Sequence, residues 1–211
     1  MMRNERTNIG EEAANLSLPT GKATIHKVAA EDAAELLAIY AYYVEETAVS
    51  FEYEVPSLEE FTGRIKNISA AFPYLKAVDE KGTILGYAYA GRFHPRKAYD
   101  WSAETTVYIK KDCRRGGLGR ALYEALERSL VDMGILNVNA CIAVPQGEDP
   151  YLTMDSINFH TRMGYSLVGT FHNSGMKFDT WYDMAWMEKM LGDHKQGQEP
   201  VKFGAWKLIS E

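Results

Sequence analysis

The sequence predicts a mixed α/β fold, a central sheet with helices on both of its faces. Three observations predict it. Tyr74–Asp79 and Thr83–Ala90 are strand-like runs that face each other across Asp79-Glu-Lys-Gly82 and read as a hairpin. Amphipathic helical runs precede that hairpin, and another, carrying Leu118, Leu122, Leu126, Leu130 and Met133, follows the central strand. Strands and hairpins interleaved with half-buried helices require cover on both faces of the sheet.

In chain order, residues 1–22 are polar, punctuated by Gly10, Pro19 and Gly21 and without periodicity, and are expected to be a mobile leader. One domain is expected over 23–191, with 192–211 as a C-terminal extension. Thr24–Val28 alternates as a strand, and Glu31–Val44 places Leu36, Ile39, Tyr40 and Tyr43 at helical spacing. Pro56-Ser57-Leu-Glu-Glu60 reads as a capping box opening a helix with Leu58, Phe61, Ile65 and Ile68 on one face. Glu104–Lys110 alternates, with Thr105, Val107 and Ile109 on one face and Glu104, Thr106 and Tyr108 on the other. Gly134 is placed to end the long helix, Asn137–Val144 is a further strand, and Ser156–Met163 is a short helix ended by Gly164. Tyr165–Phe171 and Tyr182–Met190 close the fold as two strands joined by a loop holding Gly175, Lys177 and Trp181.

The chain of 211 residues, 46% hydrophobic and 25% charged, has material for one sizeable core. Its net charge of −6 argues against broad nucleic-acid binding. Cations nevertheless gather at Arg92, Arg96, Lys97, Lys110, Lys111, Arg114, Arg115 and Arg120. Cys113 and Cys141 support neither a disulfide framework nor a metal site, and they fit a reducing cytoplasm. Residues 1–22 lack the apolar core of a signal peptide, and Ala33–Val44 is too short and is interrupted by Glu35, so no membrane association is expected. Cys113 lies among basic residues with no His beside it in sequence and reads as a loop thiol.

The strand from Glu104 runs into Arg114-Arg-Gly-Gly-Leu-Gly119, a turn whose N–H groups and following helix N-terminus suit a phosphate. A P-loop would need Lys and then Ser or Thr after the last Gly, where Arg120 and Ala121 stand. A Rossmann turn would need G-x-G-x-x-G near the first strand. What remains is R/Q-x-x-G-x-G/A, met by Arg114, Gly117 and Gly119.

That pattern resembles the acetyl-CoA pyrophosphate loop of the GNAT N-acetyltransferases, and the order of elements from Ala23 to Leu191 is similar to that family's. The runs Glu46–Phe51, Gly86–Gly91, Ala98–Glu104, Thr106–Ile109, Ser156–His160 and Met163–Tyr165 are most similar to its phosphinothricin acetyltransferase group. The resemblance implies the GNAT acyl-CoA N-acyltransferase fold, classed α/β or α+β, with a mixed, mostly antiparallel sheet flanked by helices. It implies acetyl-CoA as co-substrate with no metal, a small-molecule amine as acceptor, and a homodimer.

It also assigns residues. Glu104 is the expected general base, needed because an amine is mostly ammonium at neutral pH; the plain alternative is a strand Glu paired with a neighbouring cation. Val107, Tyr108 and Ile109 are expected to offer main-chain groups to the pantetheine arm. Arg114, Arg115, Gly116, Gly117, Leu118, Gly119 and Arg120 would hold the pyrophosphate, and Ser156 would border the cofactor. Many members have Asn at Thr153 and, at His160, a Tyr that protonates the departing thiolate; His160 or water would serve instead, the plain alternative being a packed helix histidine. The acceptor pocket is expected at Phe51, His94, Arg96, Tyr99 and Thr106, with Arg96 or Arg92 clamping a carboxylate. His94 stands where close relatives have Lys, and Phe178 and Tyr182 stand where that group tends to have histidines. Other readings are acetylation of a protein N-terminus, a lysine or an antibiotic amine, a non-catalytic acyl-CoA sensor, and a phosphopeptide or nucleotide module.

Overall fold

The computed structural model describes residues 14–18 and 21–208. Its elements are β1 (Ala14–Leu18), β2 (Gly21–Lys27), α1 (Ala33–Glu45), α2 (Leu58–Ser69), β3 (Tyr74–Asp79), β4 (Ile84–Arg92), β5 (Ser102–Ile109), α3 (Leu118–Met133), β6 (Asn137–Val144), α4 (Asp155–Arg162), β7 (Ser166–Lys177) and β8 (Thr180–Met190). One sheet runs in the order β1-β2-β3-β4-β5-β6-β8-β7. Every neighbouring pair is antiparallel except β5–β6. This is the mixed α/β architecture the sequence predicts.

Side-chain size decides which helices cover which face. Along β4 the small residues Ala88 and Ala90, with Leu85, face the α3 side, where Leu118, Leu122, Leu126 and Leu130 close the larger core. Tyr87 and Tyr89 point the other way, into a smaller aromatic core with Tyr40 and Tyr43 of α1 and Phe61 and Ile65 of α2. Alanines on one face let α3 approach closely, and tyrosines on the other fill the space beneath two shorter helices.

Local rules explain the boundaries. Ser57 caps α2, its Oγ accepting from the Glu60 N–H at 3.1 Å. The predicted capping box forms only in this half, because the Glu60 carboxylate instead takes Arg64 one turn on, at 2.5 Å. A short 3₁₀ turn, Ala30–Asp32, precedes α1. The last two strands are longer than predicted: the expected loop is strand, and the chain reverses in two residues, Phe178 and Asp179. Gly175 and Lys177 are loop-like in sequence, yet a bulged edge strand tolerates both.

Of the segment expected to be a leader, residues 14–18 form β1 against β2, and Gly21 and Lys22 open β2; the rest lies outside the described residues. The expected C-terminal extension completes the core. Phe203 packs edge-on to Phe72, Leu208 is buried, and the Lys207 carbonyl accepts from Ser129 Oγ of α3. Among the described residues, no helix is long and apolar enough to cross a membrane.

Candidate active site

β5 and β6 pair at Ser102↔Asn137, Ala103↔Val138 and Glu104↔Asn139, and their ladder ends there. Beyond Glu104 the sheet opens into a groove made of two cavities, about 510 and 640 Å³, which share Val49, Val107 and Ser156 as lining. Glu104 lines the first cavity and the glycine turn lines the second. The residues that sequence reading put at opposite ends of one strand and turn are thus brought to one groove.

In the turn half, the chain passes from an extended Arg114 through Arg115 at φ 64° to Gly117 at φ 86°. Gly117 takes the left-handed backbone that aims the turn's amides and starts α3 at Leu118, whose side chain drops into the core. A methyl group on Gly119 would lie 3.4 Å from the Phe159 ring, so any larger side chain would fill the cradle. Arg114, Arg115, Gly117, Leu118, Gly119 and Arg120 all line this cavity, while Gly116 is buried in the turn and does not. The three arginines are exposed at its rim. Arg114 stacks over Tyr42 and Tyr43, Arg115 meets Asp155 at 3.3 Å, and Arg120 meets Glu124 at 2.8 Å. Cys113 and Thr153 complete the wall.

Val107 and Ile109 line this half from the strand side, whereas the Tyr108 ring turns to the aromatic core. The edge at Ile109 is already engaged: Tyr43 donates its O–H to the Ile109 carbonyl at 2.5 Å and accepts the Ile109 N–H at 3.1 Å.

In the Glu104 half, burial pushes the Glu104 carboxyl above its ordinary range, with nearby His94 pulling it partly back. Tyr40, Tyr89, Tyr108, Phe51, Thr106, Cys141 and Met184 surround it. A second carboxylate, Glu52, also lines this cavity and is neutralised by Arg64 at 2.6 Å. None of the described residues lining this cavity is Lys or Arg.

His160 is buried, its Nδ1 2.8 Å from the Ser156 carbonyl and its Nε2 3.0 Å from the Tyr123 hydroxyl. A carbonyl only accepts, so Nδ1 carries the ring proton and Nε2 accepts from Tyr123. Burial lowers the pKa of this imidazole to about 4, so it is neutral and has no proton to give at Nε2. That opposes the expected role of His160 as acid.

Of the expected acceptor residues, Phe51 and Thr106 line the cavity; Arg92, His94, Arg96 and Tyr99 do not. Arg92, expected as a clamp, is engaged elsewhere in this structure. Its guanidinium turns to Asp100 at 2.7 Å and lies over the Phe203 ring at 4.4 Å, because the C-terminal segment offers it an aromatic face. His94 packs on Tyr99 and Phe93 outside the cavity, and Arg96 is exposed. Tyr123, Glu52, Cys141 and Met184 were missed. Tyr123 carries no local signal beyond a helix-core spacing, and the others lie on segments whose approach depends on sheet order.

A sheet opened at a carboxylate and continuous with an arginine-rimmed anion turn defines a group-transfer site for a phosphorylated carrier. The chain belongs to the GNAT acetyltransferase family, whose domain profile matches residues 25–186, and it is an acetyl-CoA-dependent N-acetyltransferase. It is 33% identical to a phosphinothricin N-acetyltransferase of Streptomyces viridochromogenes over 165 residues, 78% of this chain and 86% of the relative. It is 32% identical to an L-methionine sulfoximine/L-methionine sulfone acetyltransferase of Pseudomonas aeruginosa over 120 residues, 57% of this chain and 66% of the relative. Its fold matches the crystal structure of a phosphinothricin acetyltransferase from Sinorhizobium meliloti in complex with acetyl-CoA, with a TM-score of 0.77, 29% identity, and 87% of this chain and 97% of that one covered. The groove fits such a co-substrate: the Gly119 cradle, left-handed Gly117 and three rim arginines suit phosphates, and the lining continues unbroken to Val107.

Proposed function

We propose that this chain moves the acetyl group of acetyl-CoA to the primary amine of a small amino-acid-like substrate, with Glu104 as general base. The observation that carries this reading is the end of the β5–β6 ladder at Glu104, which leaves the carboxylate facing a cavity continuous with the phosphate-type turn. Acetyl-CoA supplies an activated thioester carbonyl. Arg114, Arg115, Arg120 and the amides of the Gly116–Gly119 turn bind its phosphates, and Val107 offers main-chain groups along the unpaired edge of β5. Glu104 takes the ammonium proton, directly or through water; the free amine attacks the thioester carbon, N–H groups of the β5 edge offset the charge on its oxygen, and the adduct loses its second proton to water as the C–S bond breaks and CoA leaves as thiolate. Holding both reactants contributes up to about 7–11 kcal/mol, more than the base's roughly 3–6. Water supplies the proton to the thiolate, whose ordinary pKa of about 8.5 asks for little help.

The absence of Lys and Arg from the described lining of the acceptor half favours a methionine sulfone or sulfoximine type of acceptor, whose side chain is uncharged, over phosphinothricin, whose phosphinate is an anion. An acceptor carboxylate would reach toward His94, which is close enough to Glu104 to act on its charge. A homodimer would find an interface at β7, an edge strand exposing Leu167, Val168 and Phe171, each more than half accessible.

The test is thiol release from acetyl-CoA with phosphinothricin, methionine sulfone, methionine sulfoximine, common amino acids and polyamines. Turnover with an amino-acid-like amine, methionine sulfone ahead of phosphinothricin, is expected. No turnover across the panel would sink the substrate class, and acetyl-CoA binding without thiol release would favour a sensor.

A further inference from the structure

The end of β7 holds a charge that the proposed chemistry does not use. Lys177 is 3% exposed, and its ammonium donates to the carbonyls of Val44, Thr47 and Ser50 at 2.7, 2.9 and 2.6 Å. An ammonium has three donors, and here all three are taken by carbonyls of one stretch of chain. A buried cation ordinarily demands a carboxylate, yet these partners are carbonyls. Val44 is in the last turn of α1, where carbonyls lack partners within the helix and the helix end is negative. The cation therefore terminates α1 and ties down the residues that follow.

Those residues are a wall of the acceptor half. Val49, Ser50, Phe51 and Glu52 all line the Glu104 cavity. The hairpin tip grips them at two further points. Tyr53 donates to the Met176 carbonyl at 2.5 Å, and the Phe51 ring lies so close over Gly175 that an added Cβ would sit 2.2 Å from it. Directly after Lys177, Phe178 and Asp179 make the reversal at φ 48° and 57°, a left-handed backbone that bulky side chains rarely adopt. Phe178 stacks on Tyr151 at 4.1 Å, and the Tyr151 carbonyl accepts from the Ala48 N–H at 3.0 Å, inside the same loop. Local strain held by this many contacts is characteristic of a segment whose position is used.

We propose that Lys177 is a positioning residue for the acceptor amine: by closing residues 44–50 onto the tip of the β7–β8 hairpin, it fixes the wall that aims the amine at Glu104. Lys177 bonds neither Glu104 nor the phosphate turn, and of residues 44–50 only Val49 also lines the turn half, so the effect falls chiefly on the acceptor. This inference rests on the acetyl-transfer reading above.

The experiment pairs Lys177→Met, which keeps a long apolar stem without donors, with Gly175→Ala, which keeps the ammonium but displaces Phe51. Steady-state kinetics with acetyl-CoA and the best amine of the panel should show acceptor KM raised about 10- to 100-fold in Lys177→Met and at least several-fold in Gly175→Ala. The KM for acetyl-CoA should stay within about threefold in both. Amide hydrogen exchange over residues 44–53 of the full chain should quicken in Lys177→Met and not over 114–122. Unchanged acceptor KM, or acceptor and acetyl-CoA KM rising together, overturns the proposal. If Lys177→Met does not fold, the Gly175→Ala kinetics decide by the same criterion. If no amine is turned over, the acetyl-transfer reading fails, and the exchange pattern by itself sustains or refutes the latch.

Discussion

The two halves of the groove are built by opposite means. The turn half draws its anion-binding groups from one continuous stretch, from β5 through Gly119 into α3, largely backbone amides fixed by Gly117 and Gly119, with Tyr43, Val49 and the α4 region completing its wall. The Glu104 half is assembled from the loop after α1, strands β4, β5 and β6, and the β7–β8 hairpin, and its specificity rests on side chains. A shared carrier can be held by local backbone geometry, whereas an acceptor pocket drawn from distant segments can change one wall at a time.

The two halves meet at Val49, Val107 and Ser156, and the largest effect is expected at Glu104, on the acceptor side of that seam. Glu104→Gln should lower kcat/KM by about 10²- to 10⁴-fold, the range of a general base, while the acetyl-CoA Kd, measured by titration calorimetry, stays unchanged. The pH profile supplies the sign. Burial raises the Glu104 pKa, so the basic form appears only as pH climbs through a value above the ordinary carboxylate range. The acidic limb of kcat/KM should therefore lie higher than that of a free carboxylate and vanish in Glu104→Gln. A variant that keeps both rate and limb would remove Glu104 from the mechanism.

On the turn side the comparison is sharpened by Gly117→Ala. Forcing alanine to φ 86° costs about 1–2 kcal/mol or shifts the amides that the turn aims. The expected result is an acetyl-CoA Kd weakened about tenfold, which corresponds to about 1.4 kcal/mol, with acceptor KM unchanged. An effect on the acceptor instead would show that the halves are not separable.

A smaller effect belongs to the acceptor side. Arg64→Gln removes the partner of Glu52, which faces the cavity, and leaves an unpaired carboxylate there. Because the pair is more than a third exposed, it contributes no more than about 1 kcal/mol. The KM for phosphinothricin should rise about two- to fivefold, less for methionine sulfone, and the difference should shrink with added salt. Equal shifts for both acceptors would mean that charge at Glu52 has no part in selection.

The same contrast explains what was legible in the sequence. Glu104, Arg114, Gly117 and Gly119 lie within sixteen positions of one another in the chain, so their spacing alone suggests one site, whereas the alternation of β5 speaks only for Glu104, and residues of both its faces line the groove. Leu118, Leu122, Leu126 and Leu130 were equally plain, since a helix needs no partner to show its apolar stripe. Glu52, Tyr123 and Lys177 were not, because their neighbours lie far away in sequence: Lys177 bonds residues more than 120 positions earlier. The surroundings of Arg92 are hidden for the same reason, since nothing near it announces that Phe203 will stand beneath its guanidinium. The β7–β8 reversal reads as a loop in the sequence because two-residue turns are ordinarily marked by Asn-Gly or its like, and Phe178-Asp179 is held by its surroundings instead.

The smallest kinetic effect is expected where the chain serves neither half. Ser57 caps α2 through one hydrogen bond, to the Glu60 N–H at 3.1 Å, and is absent from both cavities. Ser57→Ala leaves that amide to solvent and should cost about 1 kcal/mol, lowering Tm by roughly 2–4 °C in a chain of this size. Both KM values should hold, because the core contacts of α2 through Phe61 and Ile65 lie one to two turns beyond the cap and keep Arg64 in reach of Glu52. If the acceptor KM rises with the loss of this cap while acetyl-CoA binding does not, fraying of α2 is reaching Glu52. The acceptor half then extends through Arg64 into the helix layer, and its boundary must be drawn one element further from the sheet.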